Sequence, residues 1–157
     1  MKIRNKNDEL LDLVNEKDEV IGTVWKSEAH SNPSKIHREI AIAVFNDKNE
    51  TLLQQRSLKK SHDPGMWQLT GAGHVGAGEN PEKAAKRELY EEVGLVCDHI
   101  YVRKEFVKDN TQARFFYIYY GRVSGSQNYK LDQDEVMDVK WIAPNEIDNF
   151  AKKIITK

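Results

Sequence analysis

The sequence predicts an α/β fold in which a mixed β-sheet lies between helices. Apolar segments of strand length recur along the chain and are separated by short polar turns. Residues 40–45 form a continuous apolar run, which is typical of a strand buried on both faces. Residues 81–93 instead repeat apolar side chains at helical spacing. The 157 residues suit one core, so we predict a single domain over residues 1–157.

Strands are predicted on both sides of this helix. An N-terminal hairpin at residues 10–25 places strands 11–14 and 20–25 around a polar turn. The segment 59–65, KKSHDPG, contains Pro and Gly and reads as a loop. The other predicted strands cover residues 40–45, 51–56, 100–108, 114–123 and 136–142, and a last helix begins at Pro144.

The helix at 81–93 has sequence signals at both ends. Asn80 can cap its free backbone donors, and Pro81 suits the first helical position because it has no N–H to leave unpaired. Gly94 stands where a left-handed residue ends many helices. We therefore predict one helix with both boundaries defined by local chemistry.

Three glutamates share one face of this predicted helix. Glu88, Glu91 and Glu92 fall at i, i+3 and i+4, a spacing at which like charges repel by about 0.2–0.5 kcal/mol per pair. Carboxylate oxygens are the ligands that Mg²⁺ and Mn²⁺ prefer, so a divalent cation between them would offset the repulsion. The alternative is an acidic helix face that is simply exposed to solvent.

The segment 73–95, GHVGAGENPEKAAKRELYEEVGL, matches the Nudix box at each of its fixed positions. These positions are Gly73, Glu79, Arg87, Glu88, Leu89, Glu91, Glu92, Gly94 and Leu95. The chain therefore resembles Nudix hydrolases, a family of metal-dependent enzymes that cleave diphosphate linkages. The resemblance implies a Nudix-type α/β/α sandwich with a mixed β-sheet and a Mg²⁺ or Mn²⁺ cofactor.

The resemblance also implies roles for the residues of the box. Glu91, Glu92 and the Gly73 carbonyl would bind the metal, and Glu88 would be a further ligand or the base that activates water. Arg87 would hold neighbouring carboxylates by charge-assisted hydrogen bonds, and we count it with the catalytic residues. The candidates for contact with the substrate are Arg56, His74 and Glu79, the last also being the expected partner of Arg87.

A finer resemblance points to the isopentenyl-diphosphate-isomerase-like branch of the Nudix proteins. The residues that carry it are 12–16 (DLVNE), His30, His37, 64–67 (PGMW) and the Gly73-His74 pair. In true isomerases, histidines matching these three help bind a metal, and a cysteine before the Gly-His pair moves a proton to or from carbon. Ala72 occupies that position here. His30 and His37 are therefore a possible second metal site, or else a loop residue and a packed residue at a strand start.

Two other segments offer candidate functional residues. Many Nudix proteins place a carboxylate on a loop that faces the metals, and Glu135 matches this place, with Asp134 as its neighbour. Glu135 would be the general base or a further ligand, unless the loop is merely charged. Arg56 closes a strand, and its guanidinium can hold a phosphate through two hydrogen bonds.

Composition narrows the classes of function. The net charge of −1 predicts neither a general nucleic-acid surface nor a membrane surface, and we see no apolar run of membrane-spanning length. The single cysteine, Cys97, cannot form an internal disulfide and suits a small buried position. These features favour a cytoplasmic location. A homodimer is possible, although we can name no residue that specifies one.

The function expected from the sequence is hydrolysis. A Mg²⁺- or Mn²⁺-dependent enzyme would cleave a diphosphate linkage in a small molecule, such as a nucleoside diphosphate derivative, by attack of metal-activated water. An isomerase of isopentenyl diphosphate is the first alternative, weakened by Ala72. A non-catalytic Nudix domain that only binds a ligand is the second, weakened by the complete set of box glutamates.

Overall fold

The computed structural model describes residues 7–125 and 127–147, which contain nine strands. A two-stranded hairpin precedes a seven-stranded sheet. The hairpin consists of β1 (Leu10–Val14) and β2 (Val20–Trp25). The larger sheet contains β3 (His37–Phe45), β4 (Thr51–Arg56), β5 (Trp67–Gln68), β6 (Gly71–His74), β7 (His99–Lys108), β8 (Ala113–Arg122) and β9 (Val136–Ile142). The helices are α1 (Lys26–Ala29) and α2 (Pro81–Val93), and Pro144–Glu146 forms a 3-10 turn.

The larger sheet is mixed, as the sequence predicts. Its main path runs β5-β4-β3-β8-β7, while β6 pairs with β3 and β9 pairs with β4. The β3–β8 pair is parallel, and the other pairs are antiparallel. The α/β class is thus confirmed, and β3 is the strand that connects the parallel and antiparallel parts.

Helix α2 has the predicted boundaries and packs on β3. The Asn80 side chain accepts a hydrogen bond from the Lys83 N–H, and Gly94 ends the helix at φ +74°. One face of the helix buries Ala84, Ala85, Leu89 and Val93 in the same core as Ile40, Ile42 and Val44 of β3. Complete burial of a Leu side chain contributes about 2 kcal/mol, so this apolar stripe anchors the acidic face beside the sheet.

Three short elements were not predicted from the sequence: α1, β5 and β6. Strand β3 also begins at His37, three residues before the predicted start at residue 40. The predicted last helix is represented by the 3-10 turn at its start, and the rest of it lies outside the described residues. Among the residues that the structure describes, no helix is both long enough and apolar enough to span a bilayer.

Candidate active site

A cavity of about 1190 Å³ brings together most of the functional residues predicted from the sequence. It is bordered by β3, β6, the polar face of α2 and the segment after β4. The predicted residues that line it are His30, Arg56, Gly73, His74, Glu79, Arg87, Glu88, Glu91, Glu92 and Glu135. His37 lies behind this wall and is fully buried.

Glu88 and Glu92 lie one turn apart on α2, and Glu92 is buried while Glu88 is half-buried. Only 5% of Glu92 is exposed, compared with 14% of the Glu88 side chain. Burial raises the pKa of Glu92 well above its ordinary range, and the charge of Glu88 raises it further. Burial also raises the pKa of Glu88, although Arg87 opposes this. A divalent cation bound next to both groups would favour their ionised forms.

The backbone at Gly73 completes this acidic site. A Cβ atom at Gly73 would lie 2.3 Å from Glu88 Cδ, so only glycine allows the strand to come this close to the carboxylate. Glu91 stands at the rim with 54% of its side chain exposed. One buried carboxyl, one half-buried carboxyl, a third at the rim and a closely placed backbone fit the oxygen ligands that Mg²⁺ or Mn²⁺ needs.

Arg87 connects these carboxyls to the rest of the site. Its Nε and Nη2 donate to the two oxygens of Glu79 at 2.9 and 3.0 Å, and its Nη1 donates to Glu88 at 2.9 Å. Nη2 also donates to the carbonyl of His74. Glu79 accepts a further bond from the Gly76 N–H. Glu79 therefore orients Arg87, the partner expected from the sequence, and it also lines the cavity.

Gln54 is a site residue that the sequence analysis missed. It is fully buried on β4, and its Nε2 donates to Glu92 Oε2 at 2.5 Å and to the Thr70 carbonyl at 2.8 Å. The Ala72 N–H approaches the other Glu92 oxygen at 3.3 Å. These donors fix the carboxyl group of Glu92. The sequence offers little signal for this residue, because Gln54 is followed by the equally polar Gln55 and Arg56.

A second cluster, the imidazole cluster, consists of His30, His37, His74 and Glu39. One potential ligand atom from each residue lies within 4.8 Å of the others. Glu39 Oε1 is 3.0 Å from His74 Nε2 and 3.2 Å from His37 Nε2, and the two Nε2 atoms of His30 and His74 are 2.8 Å apart. The cluster thus unites the two histidines predicted as a second metal site with two additional residues.

Strand register explains how the imidazole cluster forms. Glu39 of β3 lies directly opposite His74 of β6. His37 shares the face of Glu39 because strand side chains alternate with a period of two. His30 directly follows α1, and its N–H bonds to the Lys26 carbonyl. His74, predicted as a substrate contact, therefore belongs to this cluster, together with Glu39, which the sequence analysis missed.

The protonation states in the imidazole cluster suit a transition metal. Burial, assisted by the nearby charge of His74, lowers the pKa of His30 to about 4. Burial alone would raise the pKa of Glu39, but hydrogen bonds from His37 and His74 outweigh it and hold the pKa well below its ordinary range. A neutral imidazole and an ionised carboxylate are the forms of these side chains that bind metals.

Glu135 and Arg56 face the same cavity from its outer wall. Glu135 Oε2 lies 2.6 Å from Lys60 Nζ, and Arg56 Nε donates to the His62 carbonyl at 3.0 Å. Asp134 pairs instead with Lys59, and both side chains are largely exposed. Of the two loop carboxylates considered from the sequence, Glu135 is the one that lines the cavity.

The fold and the box on α2 define a Nudix-type protein. Residues 35–156 match the model of the NUDIX domain, and the chain belongs to this family. A solved structure from Deinococcus radiodurans, DR0079, superposes with a TM-score of 0.74 at 23% identity and covers 88% of this chain and 86% of that one. At this identity the likeness shows the fold alone.

Curated relatives cover most of the chain and are named as isomerases. The isopentenyl-diphosphate Delta-isomerase of Streptomyces coelicolor is 32% identical over 146 residues, which are 88% of this chain and 73% of that protein. Isopentenyl-diphosphate Delta-isomerase 2 of Photorhabdus laumondii is 34% identical over 164 residues, covering 94% and 91% respectively. These relatives place the chain in the isopentenyl-diphosphate-isomerase-like branch.

Proposed function

We propose that this protein is a Mg²⁺- or Mn²⁺-dependent hydrolase that cleaves a diphosphate linkage in a small molecule such as a nucleoside diphosphate derivative. The observation that carries the proposal is the pair of buried Glu92 and half-buried Glu88 beside the Gly73 backbone, at the wall of a large cavity. Burial and the charge of Glu88 oppose ionisation of Glu92, and a bound cation would offset that cost.

In the proposed reaction, one set of residues would bind the metal ion and a second set positions those ligands. The ion would be held by Glu88, Glu91, Glu92 and the Gly73 carbonyl. When bound, it would lower the pKa of a water molecule and neutralise charge on the phosphate oxygens of the substrate. Arg87 and Gln54 keep Glu88 and Glu92 in place.

The remaining cavity residues would serve the substrate and its proton. Glu135 lies on the cavity wall as the candidate acceptor of the proton of the attacking water. Arg56 and Lys60, also in the wall, offer positive charge to the phosphate groups of the substrate.

Loss of the box carboxylate tests this proposal directly. Glu92→Gln should reduce Mg²⁺- or Mn²⁺-dependent phosphate release from a panel of nucleoside diphosphate compounds by at least about 100-fold. Glu82→Gln is the matched control, because Glu82 lies on the same helix with 59% of its side chain exposed and outside this cavity. Wild-type turnover by Glu92→Gln, still dependent on metal, would contradict the mechanism.

An isopentenyl-diphosphate isomerase activity is a second candidate, favoured by the names of the curated relatives. Against it, Ala72 supplies no acid–base group at the position before the Gly-His pair. The only cysteine, Cys97, is half-buried beside Gly121 and does not line the cavity.

Hydrogen exchange separates this second candidate from hydrolysis. Isopentenyl diphosphate is incubated with the wild-type protein in D₂O and followed by NMR. Under the hydrolase proposal, carbon-bound deuterium appears no faster than in buffer. Enzyme-dependent incorporation would instead make isomerisation the principal activity.

We also propose that the imidazole cluster holds a divalent transition metal. Three imidazole nitrogens and one carboxylate suit Zn²⁺ or Mn²⁺ better than Mg²⁺, which prefers oxygen ligands. The His37→Asn variant should bind one Mn²⁺ or Zn²⁺ ion fewer than the wild-type protein. The control variant, His99→Asn, should keep that ion, because His99 lies on β7 outside the cavity. Equal metal content in both variants, measured by elemental analysis, would contradict this site.

A further inference from the structure

Arg114 lies beside the imidazole cluster and was not singled out by the sequence. It is on β8, directly across from His37 in the parallel β3–β8 register, and 14% of its side chain is exposed. Its Nε is 3.2 Å from Glu39 Oε2, and its guanidinium carbon lies 5.0 Å from the centre of the Phe116 ring. Arg114 therefore contacts the only carboxylate of the cluster through a different oxygen from the one that faces His37 and His74.

The two oxygens of Glu39 face different partners. Oε1 lies 3.0 Å from His74 Nε2 and 3.2 Å from His37 Nε2, whereas Oε2 is paired with Arg114. Neither Nε nor Nη1 of Arg114 makes an aligned hydrogen bond, so the guanidinium attracts Glu39 and Asp109 through charge placed at two of its edges. This attraction turns one oxygen away from the imidazoles and leaves the other pointing at them.

Arg114 is itself held from the other end by Asp109. Its Nη1 is 3.5 Å from Asp109 Oδ2. Asp109 Oδ1 accepts bonds from the Thr111 N–H and hydroxyl at 2.8 and 2.7 Å and from the Gln112 N–H at 3.0 Å. The turn between β7 and β8 thus fixes Asp109, which fixes one edge of the guanidinium while the other edge faces Glu39.

We propose that Arg114 is a positioning residue that holds Glu39 as the fourth ligand of a divalent ion in the imidazole cluster. The inference rests on the proposed ion site. Outer partners of this kind typically change metal affinity by about 10- to 100-fold. Lysine could not substitute, because its single ammonium cannot reach Glu39 and Asp109 through two separate edges as a planar guanidinium does.

Titration of the full-length protein with Co²⁺ tests this inference, because the visible absorption of Co²⁺ reports the number and geometry of its ligands. The part of the wild-type Co²⁺ absorption that is lost in His37→Asn is assigned to Co²⁺ bound in the imidazole cluster. Arg114→Lys should bind Co²⁺ about 10- to 100-fold more weakly and with a changed spectrum. Arg122→Lys is the matched control. Arg122 is an exposed arginine on the same strand as Arg114, and its side chain contacts Asn46 and Asn49.

Asp109→Asn is the second variant, and it decides the matter if Arg114→Lys fails to fold. It keeps a turn-forming side chain but removes the charge that anchors Arg114, so the Co²⁺ spectrum should change in the same direction. Wild-type affinity and spectrum in a folded Arg114→Lys or in Asp109→Asn would overturn the role of Arg114. A wild-type protein with no Co²⁺ signal that depends on His37 would overturn it too, while leaving hydrolysis at the box glutamates standing.

Discussion

Gly73 and Glu88 approach so closely that no side chain fits between them, since a Cβ atom on Gly73 would fall 2.3 Å from Glu88 Cδ. Gly73→Ala should therefore displace the Glu88 carboxylate and lower kcat about 100-fold, the effect of roughly 1 Å of misplacement. Steady-state kinetics with saturating Mg²⁺ measures the loss. Gly22→Ala in β2 is the control, because its Cβ would make only an ordinary 3.9 Å contact with Leu13. Equal kcat for the two variants would contradict the close packing.

Arg87 donates to the side chains of three glutamates and to one backbone carbonyl with separate edges of its guanidinium, so its shape matters as well as its charge. Arg87→Lys keeps the charge but cannot reach Glu79 and Glu88 together. We expect kcat to fall about 10- to 100-fold, with a smaller change in thermal stability. Lys86→Arg, at an exposed neighbouring position, should have wild-type kinetics. Full activity in Arg87→Lys would show that charge alone suffices.

The sequence predicted α2 and its acidic face well because both depend on local chemistry. Caps, apolar spacing and the i, i+3, i+4 positions of Glu88, Glu91 and Glu92 all lie within one helix. The strands with clear apolar runs were predicted for the same reason. Short β6, with the sequence Gly-Ala-Gly-His, has no such pattern and forms only because β3 offers it a partner.

Only part of the imidazole cluster and its surroundings could be predicted from the sequence. His30 and His37 were candidates through a family resemblance, but Glu39 and Arg114 depend on which strands flank β3. The register of β3 with β6 brings Glu39 to His74, and its register with β8 brings Arg114 to Glu39. Pairing between distant segments is set by tertiary packing, which local spacing does not encode.

Asp18 contributes to stability in a way that depends on pH. It is buried in the first hairpin and contacts Arg38, Lys104 and the Tyr117 hydroxyl. Burial alone would raise its pKa, but these hydrogen bonds outweigh burial and lower the pKa below the ordinary value of 3.8. The stabilisation is therefore complete above that value and is lost as the pH falls through the lower folded-state pKa.

Asp18→Asn isolates this effect, because asparagine also tolerates the positive φ of 64° at this position. The variant should lose about 2 kcal/mol of unfolding free energy at neutral pH. The difference from wild type should shrink in acid, as urea unfolding at about pH 7 and about pH 3 would show. Exposed Glu16→Gln in the same turn serves as the control. A difference that is independent of pH would contradict the charge-based explanation.

Glu135 is the carboxylate whose loss should separate proton transfer from metal binding. It lines the cavity and is paired with Lys60, whereas the adjacent Asp134 pairs with Lys59 outside the cavity. As the general base, Glu135 would contribute about 100-fold to kcat, so Glu135→Gln should lose that factor while binding Mn²⁺ as wild type does. Asp134→Asn should retain wild-type kcat. Undiminished turnover by Glu135→Gln would leave Glu88 as the base, because Glu88 is the other cavity carboxylate to which water activation was assigned from the sequence.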